Sequence, residues 1–229
     1  HIFFYKNSKA MRDLKVKVKT AKGRKISSTR WLARQLNDPY VKEARQKGYR
    51  SRSAFKLIEI DKKFSVFKAS QKILDLGCSP GGWCQVASER VNSSPSNVLV
   101  HGIDIKQCDP ISGVNIHNLD FLDEESCEQF TKNFEGKFDV ILSDMAPNAI
   151  GHKQTDNLKI MALVEAAIFF TLVNLQVGGT FVAKVLDAGV GSEMQNLLKK
   201  SFKKVVNFKP DSSRSSSSEK YLVAKDLKE

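Results

Sequence analysis

Cysteine is scarce in this chain, and its spacing excludes several kinds of site. The four cysteines, Cys78, Cys84, Cys108 and Cys127, form no C-x-x-C pair, and none of the four histidines is spaced to complete a zinc site. We therefore expect no bound metal. Four unpaired thiols are typical of a reducing, cytoplasmic compartment.

Long apolar runs are also missing. The longest, from Ile160 to Val173, is interrupted by Glu165 and is shorter than the roughly 20 residues that a membrane span requires. The opening His-Ile-Phe-Phe-Tyr is too short for a signal-peptide core, and Met11 is a candidate native start, so residues 1–10 carry no fold prediction. We expect no membrane association through a spanning segment.

Positive charge is concentrated at one end of the 229-residue chain. Residues 1–63 contain 19 Lys/Arg and 5 Asp/Glu, a net charge of +14. The remainder contains 18 and 20, a net charge of −2. This asymmetry indicates a near-neutral core with a basic docking surface for a polyanion, either nucleic acid or an anionic membrane surface. The basic segment lacks a strong apolar face, which favours nucleic acid.

We predict a basic, flexible N-terminal arm over residues 1–26. Its lysines alternate with small or aliphatic residues, and the segment has too little apolar content to bury. It is either a solvated tail or an RNA-contacting arm that orders on binding. Residues 27–229 are predicted to form a single domain, in which the helices of residues 27–64 bind RNA. Three aromatic residues of this region either pack in the core or stack on bases: Trp31, Tyr40 and Tyr49.

Three helices are predicted within residues 27–64. The first begins at Ser27, with Ser28 as its N-cap, and ends at Pro39, and the second covers residues 40–47. The third covers residues 51–64. Its apolar face contains Leu57, and by the 3.6-residue period Lys56 lies roughly opposite that face, where a solvated lysine is ordinarily found.

From residue 72 onward, strand patterns alternate with helix patterns. This alternation predicts an α/β, Rossmann-like fold with a mostly parallel seven-stranded sheet and helices on both faces. The last two strands have no room for a helix between them, so we expect an antiparallel edge strand. The predicted strands cover residues 73–76, 98–104, 114–117, 138–143, 179–184, 205–209 and 221–225.

A glycine-rich loop follows the first strand, where an open parallel sheet places its ligand. It lacks both the G-x-G-x-x-G spacing of a pyrophosphate cradle and the Lys-Ser/Thr of a P-loop, so NAD and ATP are disfavoured. A loop of this kind fits S-adenosylmethionine (SAM). Asp104, at the end of the second strand, is placed to bind ribose hydroxyls, and Asp120, beside Phe121, to accept from the adenine amino group.

Two further polar residues close apolar strands. Asp144 follows the fourth strand and Lys184 ends the fifth, so both should face the same crevice. A lysine there is costly to desolvate without a partner, and Asp144 is the obvious one. The pair is either structural or catalytic. The serine-rich stretch of residues 211–219 stands directly before the last strand, where a linker is out of place.

Four motifs together resemble the FtsJ/RrmJ family of ribose 2′-O-methyltransferases, over nearly everything from Ser27 onward. The motifs are Tyr-Arg-Ser-Arg-Ser-Ala-Phe-Lys-Leu at 49–57, Asp-Leu-Gly-x-x-Pro-Gly-Gly-Trp at 75–83, Ser-Asp-Met-Ala-Pro-Asn at 143–148, and Lys-Pro-Asp-Ser-Ser-Arg through Glu at 209–219.

The resemblance implies a fold, a site and a reaction. It implies a SAM-dependent methyltransferase domain with S-adenosylhomocysteine as product, and a catalytic set of Lys56, Asp144, Lys184 and Glu219. The cofactor contacts that it implies are Gly77, Pro80, Gly81, Gly82, Trp83, Asp104, Asp120, Phe121 and Asp144. Lys184 would act as general base or would orient the attacking oxygen; to accept a proton, it would need a pKa below the ordinary lysine value of about 10.4.

The implied substrate is a uridine ribose in large-subunit (23S) ribosomal RNA, methylated during ribosome maturation by a monomeric, cytoplasmic enzyme. Two alternatives remain at the level of sequence. One is the same chemistry on a transfer RNA ribose, because the catalytic set does not encode the substrate. The other is a non-catalytic RNA-binding assembly factor with the same fold.

Overall fold

The structure is a computed structural model that describes residues 16–18, 22–23, 25–134, 136–147, 153–186 and 189–229. The predicted arm of residues 1–26 lies mostly outside these residues, as does Asn148. The helices are α1 (Ile26–Leu36), α2 (Pro39–Gln46), α3 (Ser53–Phe64), α4 (Gly82–Val91), α5 (Glu124–Lys132), α6 (Lys153–Asn174) and α7 (Ser192–Ser201). The strands are β1 (Ile73–Leu76), β2 (Val100–Asp104), β3 (Val114–Asn118), β4 (Phe138–Ser143), β5 (Leu175–Leu186), β6 (Phe202–Phe208) and β7 (Glu219–Leu227).

The strands form one sheet in the order β3-β2-β1-β4-β5-β7-β6. β1 to β5 are parallel, whereas β7 lies between β5 and β6 and is antiparallel to both. The predicted seven-stranded, mostly parallel sheet is therefore confirmed. The antiparallel hairpin is at the predicted edge, with β6 outermost. Strand order reverses beside β1, so the crevice between the carboxyl ends of β1 and β4 is the expected ligand site.

Apolar side chains alternate between the two faces of the sheet. Ile73 and Val140 pack on one face with α3 and α4, while Leu74 and Ile141 pack on the other with α5, α6 and α7. This period of two buries both faces, as a parallel sheet with helices on each side requires. Within the part of the chain that the structure describes, no helix combines the length and apolarity needed to cross a bilayer.

The first two helices differ from the prediction at their junction. α1 ends at Leu36, and Pro39 begins α2 instead of ending α1. Asp38 is the N-cap of α2, and its carboxylate accepts a hydrogen bond from the amide of Tyr40. A proline has no amide hydrogen to lose at the first turn, so it is well placed there. The predicted cap at Ser28 is wrong, because α1 begins at Ile26.

The position of Lys56 differs from the one that helical periodicity predicts. The side chain predicted to be solvated is buried, with 7% of the residue exposed. One face of α3 packs on the sheet, and Lys56, on another, reaches Glu219 at the start of β7. The helix therefore packs against partners on two sides. The apolar residues of its sequence predict only the side that packs on the sheet.

Candidate active site

Two lysine–carboxylate pairs lie at the carboxyl end of the sheet. Lys184 Nζ is 3.1 Å from Asp144 Oδ1 and donates to the Asp144 backbone oxygen across 2.7 Å. Lys56 Nζ is 3.0 Å from Glu219 Oε2. Both lysines are at least nine-tenths buried. The structure thus brings together four predicted residues that come from α3, β5, β7 and the loop after β4.

Tyr221 joins the two pairs. Its hydroxyl donates to Asp144 Oδ1 across 2.9 Å, and Lys56 Nζ lies 5.6 Å from the centre of its ring. The other oxygen of Asp144 accepts a 2.7 Å hydrogen bond from the hydroxyl of Ser53. Neither Tyr221 nor Ser53 was predicted as a site residue, although both stand within the quoted motifs or two positions beyond one.

The site favours ionised carboxylates. Burial opposes ionisation of Asp144, but the charges of Lys184 and Lys56 and the bond from Ser53 outweigh it, so the pKa of Asp144 is lowered. The pKa of Glu219 is lowered in the same way, since Lys56 outweighs the burial of the carboxyl. Burial, followed by the charges of Asp144 and Glu219, raises the pKa of Tyr221, which remains a neutral hydrogen-bond donor.

The serine-rich stretch before β7 positions Glu219. Ser212 is fully buried, and its amide donates to the carboxylate of Glu59 on α3. Arg214 pairs with Asp38, which also pairs with Arg52 at the start of α3. These contacts fix the stretch against α3 and the start of α2, so it is an ordered part of the site and not a linker.

The glycine-rich loop runs from β1 into α4. Gly77 and Gly81 have φ angles of 76° and 108°, which favour glycine. A Cβ at Gly77 would lie 2.6 Å from Met145, and one at Gly82 would meet the Ser51 hydroxyl. These glycines allow neighbouring segments of the chain to approach the loop closely. Pro80 follows a cis peptide bond and is exposed.

Two of the predicted cofactor residues face inward. Trp83 is 3% exposed, and its indole nitrogen donates to the backbone oxygen of Ser53 across 2.9 Å. Phe121 packs edge-to-face on Phe170, with ring centres 5.3 Å apart. Trp83 therefore ties the start of α4 to the start of α3, and Phe121 fixes the segment after β3 against α6.

Two of the predicted acids lie at neighbouring strand ends. Asp104 Oδ2 accepts from the amide of Ser79 in the glycine-rich loop, and Oδ1 accepts from the amide of Lys106. Asp120 is exposed, and its Oδ1 accepts from the amide of Leu122. Each acid holds its own loop and retains lone pairs for a further partner.

Two observations fit an adenosine-type cofactor at this loop. Asp75 Oδ1 is buried without a hydrogen-bond partner among the described residues, two positions before Gly77. Ile105, next to Asp104, is 60% exposed, which places an apolar surface beside the carboxylate. A buried carboxyl oxygen without a partner and an exposed apolar side chain suit a ligand with a polar amino acid part and a flat base. Among the described residues, no cluster of three or more His, Cys, Asp or Glu is arranged to hold a metal ion.

Fold and site together define a Rossmann-like methyltransferase. The model of the FtsJ-like methyltransferase family matches residues 49–227, and the chain belongs to this family. The match begins at Tyr49, so it contains α3 to β7 and leaves α1 and α2 outside.

Relatives extend over nearly the whole chain. A protein of Ruegeria pomeroyi named Ribosomal RNA large subunit methyltransferase E is 54% identical over 95% of this chain and 96% of its own. One of the same name from Erythrobacter litoralis is 48% identical over 96% and 99%. A Plasmodium falciparum crystal structure described as a ribosomal RNA methyltransferase is 36% identical, with a TM-score of 0.65, over 78% of this chain and 98% of that one.

Proposed function

We propose that the protein transfers a methyl group from SAM to the 2′-hydroxyl of a uridine ribose in large-subunit (23S) ribosomal RNA. The observation that carries this proposal is the meeting of two buried lysine–carboxylate pairs beside a glycine-rich loop in a methyltransferase fold. The names of the relatives support the choice of RNA. We assign the reaction to ribosome maturation in the cytoplasm, by a monomer.

The glycine-rich loop would hold the cofactor. Its backbone from Gly77 to Gly82, with Pro80 and Gly81 between them, would contact the ligand, and the hydrogen bond from Trp83 to Ser53 ties α4, which follows the loop, to the start of α3. Ribose hydroxyls would donate to Asp104, the adenine amino group to Asp120, and the ring would lie against the Phe121 segment. When bound, SAM supplies an electrophilic methyl group on sulfur. Asp144 joins this surface to the catalytic lysines.

Lys184 is placed to orient the attacking oxygen. Its ammonium group has three hydrogens, and two are directed to Asp144 O and Oδ1, which leaves one for a substrate hydroxyl. A fixed donor at Nζ would direct a lone pair of that hydroxyl toward the methyl carbon, and such alignment is a main source of acceleration for a displacement of this kind. The hydroxyl proton would pass to solvent as the oxygen takes the methyl group and S-adenosylhomocysteine leaves. Lys56 and Glu219 form the adjoining wall, which we assign to the substrate ribose.

The first helices would bind RNA through α1 and α2. Arg30, Arg34, Lys42 and Arg45 are exposed there and are available to phosphates. Arg50 is committed elsewhere, since its guanidinium donates to the backbone oxygens of Pro80, Asp109 and Pro110.

Two of the candidate stacking aromatics of this region are engaged within the protein. Tyr40 packs on Phe55, and the hydroxyl of Tyr49 donates to Glu89. The side chain of Trp31 lies outside the described residues. RNA binding by α1 and α2 therefore rests on charge.

Incubation with radiolabelled SAM tests the activity. Large ribosomal subunits from cells that lack the enzyme, total transfer RNA and no RNA are compared, and the labelled nucleotide is then mapped. We expect label on a 2′-O-methyluridine of the large-subunit RNA. Label confined to transfer RNA would move the assignment to the alternative substrate, and binding to ribosomal particles without any transfer would indicate an assembly factor.

A further inference from the structure

Arg50 lies just before α3, in the most basic part of the chain, and takes part in no ion pair within the described residues. Its half-buried guanidinium donates instead to backbone oxygens. Nη1 donates to Pro80 across 3.3 Å and to Asp109 across 2.6 Å, and Nη2 donates to Pro110 across 2.7 Å. Nη1 also lies 3.6 Å from the sulfur of Cys108. A cation with these partners fixes the position of backbone and neutralises no acid.

The three backbone oxygens belong to two different loops. Pro80 is in the glycine-rich loop after β1, whereas the other two oxygens are in the loop after β2. Asp104, at the end of β2, joins the same two loops, because its carboxylate accepts from an amide in each of them. Arg50 is therefore a second connection between these loops, and it comes from a third segment of the chain.

Helix α4 holds Arg50 in position. Gln85 Oε1 accepts from the amide of Arg50 across 2.8 Å, and Gln85 Nε2 donates to the backbone oxygen of Gly48 across 2.9 Å. The guanidinium nitrogen Nη1 lies 3.2 Å from the place that a Cβ would take on Gly81. The missing side chain at Gly81 thus leaves the space that the guanidinium occupies, directly against the glycine-rich loop.

The loop after β2 has little regular structure of its own. Residues 107–110 belong to no helix or strand. Arg50 donates to two consecutive backbone oxygens of this loop, and such charge-assisted bonds are about twice as strong as neutral ones. A loop without regular structure is ordered by contacts of this kind. Loss of the guanidinium would therefore release this loop from the glycine-rich loop.

We propose that Arg50 is a positioning residue for SAM, which fixes the distance between the two loops and thereby the shape of the cofactor site. This inference rests on the proposed function, in which Asp104, between the same loops, binds the ribose of SAM. The guanidinium acts through the loops and needs no contact with the cofactor. The charge count assigns Arg50 to RNA, whereas its contacts assign it to the cofactor.

Two arginine-to-lysine variants test the proposal. Arg50→Lys keeps the charge but replaces the planar fork, which reaches both loops, with a single ammonium nitrogen. Arg90→Lys is the matched control, because Arg90 stands on α4 and its partner is Asp61 of α3. SAM binding is measured by calorimetry without RNA. The KM for SAM and kcat are then measured with large-subunit RNA.

Two more variants extend the test. Arg50→Gln also removes the charge, so its affinity for RNA shows whether Arg50 binds a phosphate. Gln85→Ala removes the two bonds that hold residues 48–50 and leaves the guanidinium intact. It decides the question if the Arg50 variants do not fold.

We expect Arg50→Lys to weaken SAM binding about tenfold, as the loss of one charge-assisted hydrogen bond does, and to raise the KM for SAM equally. At saturating SAM, kcat should stay within about threefold of the wild type, because the loops bind ground state and transition state alike. Gln85→Ala should weaken SAM binding about threefold, the effect of one neutral hydrogen bond. Arg90→Lys should bind SAM within about twofold of the wild type, and Arg50→Gln should bind RNA within the same limit.

Three results would overturn the proposal. The first is unchanged SAM affinity in Arg50→Lys, or in Gln85→Ala where the Arg50 variants do not fold. The second is equal weakening in Arg90→Lys, or a lower kcat in Arg50→Lys at an unchanged KM, which would reflect a smaller folded fraction. The third is loss of RNA affinity in Arg50→Gln at unchanged SAM affinity, which would assign Arg50 to a phosphate.

The wild type separates this inference from the proposed function. If it methylates the RNA and Arg50→Lys binds SAM equally well, only the role of Arg50 is refuted. If it binds SAM but methylates no RNA, while Arg50→Lys binds SAM more weakly, the role of Arg50 is supported and the proposed function fails. A wild type that binds no SAM refutes both.

Discussion

The hydroxyl of Ser53 donates a 2.7 Å hydrogen bond to Asp144, 91 positions further along the chain. The backbone oxygen of the same serine accepts the indole hydrogen of Trp83 in α4. Lys56 follows one turn later on α3. One residue at the start of α3 therefore connects the helix that carries Lys56, the carboxylate of Asp144 and helix α4, and a disturbance there should reach all three.

Ser53→Ala should lower kcat by about three- to tenfold, the equivalent of one hydrogen bond of about 0.5–1.5 kcal/mol. The bond helps to lower the pKa of Asp144. Its loss should therefore raise that pKa and move the acid limb of the pH–rate profile to higher pH. The profile of kcat is recorded at saturating SAM and RNA.

Ser53→Thr is the matched control, because it keeps the hydroxyl and should restore both kcat and the position of the acid limb. An alanine variant that is less stable but has the wild-type kcat and pH profile would reduce Ser53 to a packing role.

Lys184→Ala should abolish methyl transfer while it leaves ligand binding in place. The variant removes the only lysine that contacts Asp144 within the described residues, and loss of a catalytic group of this kind costs about 100-fold or more. Single-turnover transfer is measured beside SAM affinity and RNA affinity. Turnover near the wild-type rate would refute the role of Lys184, and Lys137→Ala, at an exposed position directly before β4, serves as the control.

Much of this site follows from the strand pattern alone. β1 and β4 have the predicted bounds, and parallel strands end at one edge, so Asp144 and Lys184 had to lie near each other. Asp104, at the end of β2, and Asp120, after β3, follow from the same rule. Local patterns succeed here because each of these residues is placed by its own strand.

The remainder depends on contacts between segments that no local pattern records. Helical periodicity put Lys56 in solvent, because it does not include the approach of Glu219 from 163 positions away. Arg50 belongs to the basic region that the charge count assigns to RNA, yet its guanidinium contacts residues 108–110 of the protein. In both cases the partner lies far away along the chain, at Glu219 for Lys56 and at Asp109 and Pro110 for Arg50.

Asp75 should make the folded protein less stable as pH rises from 6.5 to 8. Burial raises the pKa of its carboxyl to about 8, far above the value in an unfolded chain. In this range the folded state keeps a proton that the unfolded state has released, so the free energy of unfolding falls with rising pH. Asp75→Asn cannot titrate, and its Tm should fall by about 5 °C less than that of the wild type over this range.

The comparison uses the slope of Tm against pH, because a buried amide at position 75 shifts stability equally at every pH. Equal slopes for the two proteins would show that Asp75 is already ionised in the folded state. The same melts above about pH 9, where the folded carboxyl has also released its proton, provide the reference.

His101 should destabilise the fold on the acid side. Burial among Phe130, Phe134 and Phe138, together with the charges of His117 and Lys72, lowers the pKa of its imidazole to about 4. Between pH 6.5 and 4 the unfolded state binds a proton that folded His101 does not, so stability is lost as pH falls through this window. The loss should be about 2 kcal/mol, because the ring is partly exposed and the full burial penalty does not apply.

His101→Phe keeps an aromatic ring without a titrating group. Urea unfolding at pH 7.5 should give similar free energies of unfolding for variant and wild type, whereas at pH 4.5 the variant should be the more stable. If the variant and the wild type differ by the same free energy of unfolding at both pH values, the assignment to His101 is wrong.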